Sequence, residues 1–217
     1  MKHIVTTAVL SALCGLLFSV ASYGATVSIE NGSFEQPGTF TGTYQSLPAG
    51  SSVISGWTIG GAGVDLIGTY WSASDDDYSV DMNGANPGSL SQNVENLQVG
   101  EEYQITFDMA GNPDNGPVAK QLLVSIGTDS ETFQFDTTGK TRANMGWEQR
   151  IFTFVADNTM NVLSFTGIGA GAWGAALDNI SIVQISQVPV PASLLLFGTA
   201  LGALGILRSN RRRKPAV

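Results

Sequence analysis

Beyond its first 25 residues the chain contains no cysteine and no histidine; Cys14 and His3 are the only examples of either. A body without them cannot assemble a Ser-His-Asp or Cys-His site, nor an ordinary zinc site. It cannot form a disulfide either, so its stability must come from its core or from bound ions. Basic residues are almost as scarce. All 18 acids lie between Glu30 and Asp178, against only Lys120, Lys140, Arg142 and Arg150, a net of −14 for that stretch. Such a surface repels nucleic acid and anionic membranes. It suits divalent cations, neutral glycans or simply solubility. Any catalysis would fall to carboxylates.

The two ends differ from this acidic body. Lys2 and His3 precede a mostly apolar stretch from Ile4 to Val20, followed by small residues at Ala21, Ser22, Gly24 and Ala25. This pattern predicts a secretory signal peptide over residues 1–24, cut after Gly24 or after Ala21; an uncleaved anchor is the alternative. Leu13 stands before Cys14, where a lipoprotein signal takes Gly or Ala, so lipidation is not expected. At the other end, Ala192 to Leu207 is 16 residues without a charge, slightly short of the ~20 that span a bilayer. Arg208, Arg211, Arg212, Arg213 and Lys214 follow, a cluster retained on the cytoplasmic side. Pro189 and Pro191 hold the approach extended. The body would therefore lie outside the inner membrane.

Together, the signal, Val188-Pro189-Val190-Pro191-Ala192, the short apolar helix and the basic cluster resemble a PEP-CTERM sorting tail over residues 188–217. The commonest motif of that family has Glu between the prolines, where Val190 stands here, so this tail is similar to the Pro-Xaa-Pro-Ala variants. The resemblance implies an exosortase-type partner in a Gram-negative bacterium that makes exopolysaccharide. It also implies an inner-membrane intermediate and a final place at the cell surface or in the matrix. A plain C-terminal anchor is the alternative.

Between these ends, residues 25–187 are long enough for one good core. They carry no helical period. Ten apolar or alternating runs recur instead: SSVISGWTI, VDLIGTYW, YSVDMNG, SLSQNV, EYQITFDMAG, KQLLVSIG, ETFQFDT, WEQRIFTFVAD, NVLSFTGIG and ALDNISIVQI. Tyr103, Ile105, Phe107 and Met109 alternate onto one face; Phe152 and Phe154 oppose Ile151, Thr153 and Val155. The breakers GANPGS, GNPDNGP, GTDS and ADNT separate the runs. The fold class expected is all-β: a jelly-roll sandwich of about ten strands, flanked by a signal helix and a transmembrane sorting helix.

ENGSFEQP (Glu30 to Pro37) opens the body and ALDNISIV (Ala176 to Val183) closes it; SGWTI, VDLIG, SVDMNG, PGSLSQ, ITFDMAGN, FDTTG and MGW lie between. This ordered series is similar to the choice-of-anchor C family and looks like plant cell-wall proteins with galactose-binding-like domains. The resemblance implies a jelly roll and no established catalytic activity. It also implies a structural Ca²⁺ site, with Glu35 of the opening word and Asp178 of the closing word as ligands beside backbone carbonyls. The plainer alternative is that both carboxylates accept backbone N–H bonds at strand ends.

Asp75, Asp76, Asp77 and Asp81 crowd the word SDDDYSVD, which lacks the spacing of an EF-hand loop. It reads as a solvated acidic loop, or as a second, weaker cation site. Of the four tryptophans, Trp57 and Trp147 follow glycines at strand starts and are expected in the core. Trp71 precedes a polar loop and Trp173 sits among small residues in GAGAWGAA. These two are the candidates for stacking on a sugar face. Asn83, Asn112 and Asp114, in loops, are the candidates for bonding sugar hydroxyls. The function expected is a non-catalytic, exported protein that contacts polysaccharide. The alternatives are a structural or adhesive protein that binds proteins, and, less favoured, a carboxylate-pair glycosidase.

Overall fold

The computed structural model describes residues 26–36, 40 and 42–185. The signal peptide of 1–24, the sorting motif Val188 to Ala192 and the basic cluster Arg208 to Lys214 lie outside the described residues. Among the described residues, no helix is long and apolar enough to cross a membrane.

Eleven antiparallel strands form two sheets. They are β1 (Tyr44–Leu47), β2 (Thr58–Gly61), β3 (Val64–Ile67), β4 (Ser79–Asp81), β5 (Gly88–Glu95), β6 (Glu102–Gly111), β7 (Ala119–Ile126), β8 (Asp129–Asp136), β9 (Glu148–Val155), β10 (Met160–Ile168) and β11 (Ala175–Gln184). One sheet runs β1-β3-β4-β11-β6-β9, the other β2-β5-β10-β7-β8. The expected ten runs each contribute a strand. The eleventh, β1, was not expected, because YQSL at a sheet edge carries no apolar alternation. Its side chains are exposed until Leu47.

The core is what alternation predicts. Tyr103, Ile105, Phe107 and Met109 are fully buried on the inner face of β6. From the second sheet, Leu122, Val124, Leu163 and Phe165 meet them. Phe107 packs edge-on against Phe133 and Phe165, with ring centroids 5.1 and 5.4 Å apart. Phe152 and Phe154 point inward from β9 while Ile151 and Val155 face solvent. Burial of this much aromatic and aliphatic area supplies the stability that a disulfide-free body needs.

The opening and closing words meet in space. The Ile180 N–H donates to the Gly32 carbonyl at 2.9 Å. A Cβ on Gly32 would run into that same Ile180 backbone, which is why the word requires glycine there. Asn31 bonds Ser55 O through Nδ2 and receives the Gln36 N–H on Oδ1. Its carbonyl takes the Trp57 indole N–H. Phe34 is then driven into the core, with no exposed surface.

A candidate glycan site on the outer face of the larger sheet

Inward alternation has an outward counterpart. On the outer face of the six-stranded sheet, strand register lines up Ser46, Asp65, Asp81, Ala176 and Ala110 in one row across β1, β3, β4, β11 and β6. One step along, Asp178 of β11 faces Asp108 of β6. Two pairs of aspartates thus stand directly opposite one another on one face, where like charges repel. Their surroundings differ.

The Asp178 pair is sealed by the acidic loop that follows Trp71. The Ser74 and Asp75 N–H groups donate to Asp178 Oδ2 at 2.8 and 3.0 Å, and the Asn179 N–H to Oδ1 at 2.7 Å. Ser74 Oγ and Asn179 Nδ2 both donate to Asp108 Oδ2. Glu35 holds the far end of the loop: its Oε1 accepts the Asp77 and Tyr78 N–H groups at 3.0 and 2.9 Å. Glu35 and Asp178 thus hold opposite ends of one loop, each by accepting backbone N–H groups, which is the plainer of the two alternatives the sequence left open. Burial pushes the Asp178 carboxyl up to about 7, against the pull of those N–H bonds, and Asp75 nearby adds to the rise. Burial also raises Glu35. The groups aimed at these carboxylates are N–H donors, whereas Ca²⁺ takes oxygens. As arranged, they fit a loop clasp rather than a Ca²⁺ ion. Among the described residues, no three acidic, histidine or cysteine side chains converge as a metal set. Within SDDDYSVD, Asp76 and Asp77 are exposed, as a solvated loop predicts. Asp81 is not in that loop; it is a buried residue of β4, because its place in the strand turns it under the neighbouring loops.

At the other pair, Asp81 is 1% exposed and well supplied with donors. Its Oδ1 accepts the Asn83 and Gly174 N–H groups, both at 3.0 Å, and its Oδ2 accepts Asn112 Nδ2 at 2.8 Å. Burial carries its carboxyl up to about 7; the three bonds oppose that rise and the Asp65 charge adds to it. Asp65 has no such supply. Burial raises its carboxyl above the usual range, partly offset by the Ser46 hydroxyl, and its Oδ1 is buried without a hydrogen-bond partner. Over this floor opens a cavity of about 120 Å³ lined by Tyr44, Asp65, Tyr70, Asp81, Asn112 and Trp173.

Tyr44 and Trp173 are 50% and 37% exposed at the cavity rim. Tyr70 meets the Tyr44 ring edge-on at 5.4 Å. Its hydroxyl donates to Asp114 Oδ2 at 2.6 Å. Arg142 lies 3.9 Å over the Tyr70 ring and grips both Asp114 oxygens, at 2.8 and 2.6 Å. That guanidinium holds the Asp114 carboxyl below its usual range. The Trp173 loop is strapped from below. Lys120, 2% exposed, passes its Nζ to the Trp173 and Asn115 carbonyls at 2.9 and 2.7 Å. Burial lowers its pKa, with Asp81 and Asp114 opposing. Asn83 Nδ2 ties the same loop at the Gly171 carbonyl, 2.8 Å away. Gly174 has no room for a side chain, since a Cβ would sit 2.7 Å from Asp81 Oδ1 and Asn83.

Of the five residues expected to touch a ligand, Trp173 and Asn112 line this cavity, and Asn83 and Asp114 stand behind it, bonded to the Trp173 loop and to Tyr70. Only Trp173 presents an open face. Asn83 and Asn112 are 1% and 5% exposed and hold the floor and the loop, while Asp114 orients Tyr70 and Arg142. Trp71 is a correction: it is 3% exposed, packed edge-on against Tyr70, its indole N–H donated to Ser79 Oγ at 2.9 Å. Trp57 is core as expected, and Trp147 is half-buried at the core margin with its N–H on the Ser72 carbonyl. Tyr44, Tyr70 and Asp65 were missed. Only the outward position of Asp65 in the alternating run VDLI hinted at it.

Comparison with solved structures gives loose likenesses. TmCBM61 in complex with β-1,4-galactotriose has a TM-score of 0.48 and 16% identity, over 76% of this chain and 100% of that one. A family 35 carbohydrate-binding module from Clostridium thermocellum has a TM-score of 0.46 and 16% identity, over 66% of this chain and 100% of its own. The CBM22-1 xylan-binding domain of Paenibacillus barcinonensis Xyn10C gives 0.44 and 17%, over 67% and 94%. In sequence, a stretch of halomucin from Haloquadratum walsbyi is 33% identical over 190 residues; it spans 83% of this chain but 2% of that much longer protein. Residues 27–183, the whole sandwich apart from its fringes, match the family described as "Protein of unknown function (DUF642)", and the chain belongs to that family.

Proposed function

We propose that this protein is a non-catalytic carbohydrate-binding protein that holds a glycan at the Tyr44–Tyr70–Trp173 cavity. One observation carries the reading: aromatic rings stand around a polar floor whose buried Asp65 Oδ1 lacks a donor. Sugars offer the matching pair of properties, flat C–H faces for the rings and donors for the acceptor. The burial of Asp81 argues against a glycosidase. The pair of carboxyl groups must flank the scissile bond, and Asp81 is 1% exposed with three N–H donors on its oxygens. Signal and tail complete the proposal. The chain is exported, sorted by a PEP-CTERM-like tail through an exosortase-type enzyme, and delivered as a choice-of-anchor C-like jelly roll to the surface or matrix.

The test is electrophoresis of the full chain through gels containing β-galactan, xylan or the polysaccharide of its own host. Retardation by at least one polysaccharide, reduced about tenfold in apparent affinity in Trp173→Ala and retained in Trp57→Phe, is the result expected. Equal migration in every gel contradicts the proposal, and a shift undiminished in Trp173→Ala places the binding elsewhere on the molecule.

A further inference from the structure

Resting on that glycan reading, we infer that the cavity recognises a protonated amine, so that the preferred ligand is an amino sugar with a free ammonium group. Size is the first argument. A cavity of about 120 Å³ is well below the ~300–1,000 Å³ of pockets that enclose a whole small molecule. It takes one substituent or one ring edge.

Donor supply is the second argument. Asn112 Nδ2 gives one of its two hydrogens to Asp81, while the carboxylates of Asp65 and Asp81 crowd the floor with acceptor oxygens. One of these is the bare acceptor Asp65 Oδ1. A hydroxyl entering this floor finds more acceptors than donors. An ammonium carries three donors and no acceptor, and so matches that imbalance.

Charge is the third. Five ionisable groups border the site: Asp65, Asp81, Asp114, Lys120 and Arg142. Arg142 is neutralised by its paired contacts with Asp114. Lys120 spends its ammonium on two carbonyls and sits beneath the loops rather than in the cavity. Among the described residues, Asp65 enters no ion pair. The rim agrees with the floor: faces of Tyr and Trp attract cations, more strongly where water is excluded. The molecule already uses one face of Tyr70 this way, holding the Arg142 guanidinium 3.9 Å from the ring.

The experiment is calorimetric titration of the full chain at mildly acidic pH with three tetrasaccharides of like length: β-1,4-glucosamine, its N-acetylated form, and β-1,4-galactose. Tetramethylammonium, a cation without a sugar, is the fourth probe. The glucosamine oligomer should bind about tenfold tighter than either neutral one, the size expected of a charge-assisted contact. Asp65→Asn, close to isosteric, should erase that preference while leaving the melting temperature near that of the parent. Tyr44→Ala, at the exposed rim, should weaken the glucosamine oligomer more than the galactose oligomer. Equal affinity for charged and neutral oligomers overturns the amine inference and leaves the glycan reading standing. Binding of tetramethylammonium as tightly as the amino sugar overturns the sugar part instead. If none of the four binds, the glycan reading has failed as well.

Discussion

Two pairs of facing aspartates lie on the same face of the same sheet, and they have become different things. Asp178 and Asp108 are covered by a loop that brings its own donors: the Ser74 and Asp75 N–H groups reach Asp178, beside that of Asn179 in the strand, and Ser74 Oγ reaches Asp108. Asp81 and Asp65 are covered unevenly. Asp81 receives three donors and anchors the Trp173 loop, and Asp65 is left with a buried oxygen that nothing among the described residues satisfies. Residue type and register are alike at the two places. What separates structure from recognition is whether the loop above supplies hydrogen-bond donors. A buried carboxylate that is answered becomes a clasp; the unanswered one is the feature on which the glycan proposal rests.

The largest effect expected from breaking this contrast is on the clasp side. Asp178→Ala would strand three N–H groups and free the Ser74–Tyr78 loop. It should cost about 3 kcal/mol in a urea unfolding experiment, with glycan affinity per folded molecule changed little. On the recognition side the signature reverses. Trp173→Ala should weaken glycan binding about tenfold, or ~1.4 kcal/mol, with little change in unfolding midpoint, since that ring is at the surface. Two variants that each lowered stability and affinity together would erase the distinction.

A smaller effect concerns pH. Asp81 and Asp178 are each raised from 3.8 to about 7 in the folded protein. Between those values the folded state holds more protons than the unfolded one. The contribution is full below about pH 4 and is lost as pH rises through about 7, so stability should fall across neutrality. Melting curves at about pH 5.5 and about pH 8.5 should show the higher midpoint in acid. Asp81→Asn combined with Asp178→Asn should flatten the difference. A midpoint that rises with pH would contradict the burial argument.

The smallest effect belongs to calcium. Because N–H donors already face Glu35 and Asp178, we expect equal melting temperatures in calcium and in chelator. A clear rise in calcium would mean that the Ser74–Tyr78 loop can turn carbonyl oxygens toward these carboxylates.

Most of the sandwich was legible because its physics is local. Alternation in YQITFDMA and QRIFTFVA reports directly which side chains face the core. Strand β1 was not legible: four residues at a sheet edge with three exposed side chains leave no periodic trace, and with them went Tyr44. Trp173 could be picked out because small neighbours leave a ring open. Trp71 misled because its cover comes from Ser79, which returns beneath it only once β4 is in place. Asp65 carries no local signal beyond pointing outward. Its meaning depends on a missing donor, which is a property of the assembled surface. What the oxygens of Glu35 and Asp178 meet depends on the direction of five N–H groups, four of them in the Ser74–Tyr78 loop, and no local word of the sequence reports it.

The central claim is that the glycan meets the chain at Trp173. The four tryptophans of the body provide a direct test through their indole N–H signals in a nitrogen-15 correlation spectrum of the full chain. Trp57, Trp71 and Trp147 are held on Asn31 O, Ser79 Oγ and Ser72 O. Titration with the glucosamine tetrasaccharide should move the Trp173 signal and leave those three in place. Movement of another indole with Trp173 unmoved, or no movement at saturating sugar, would contradict the account.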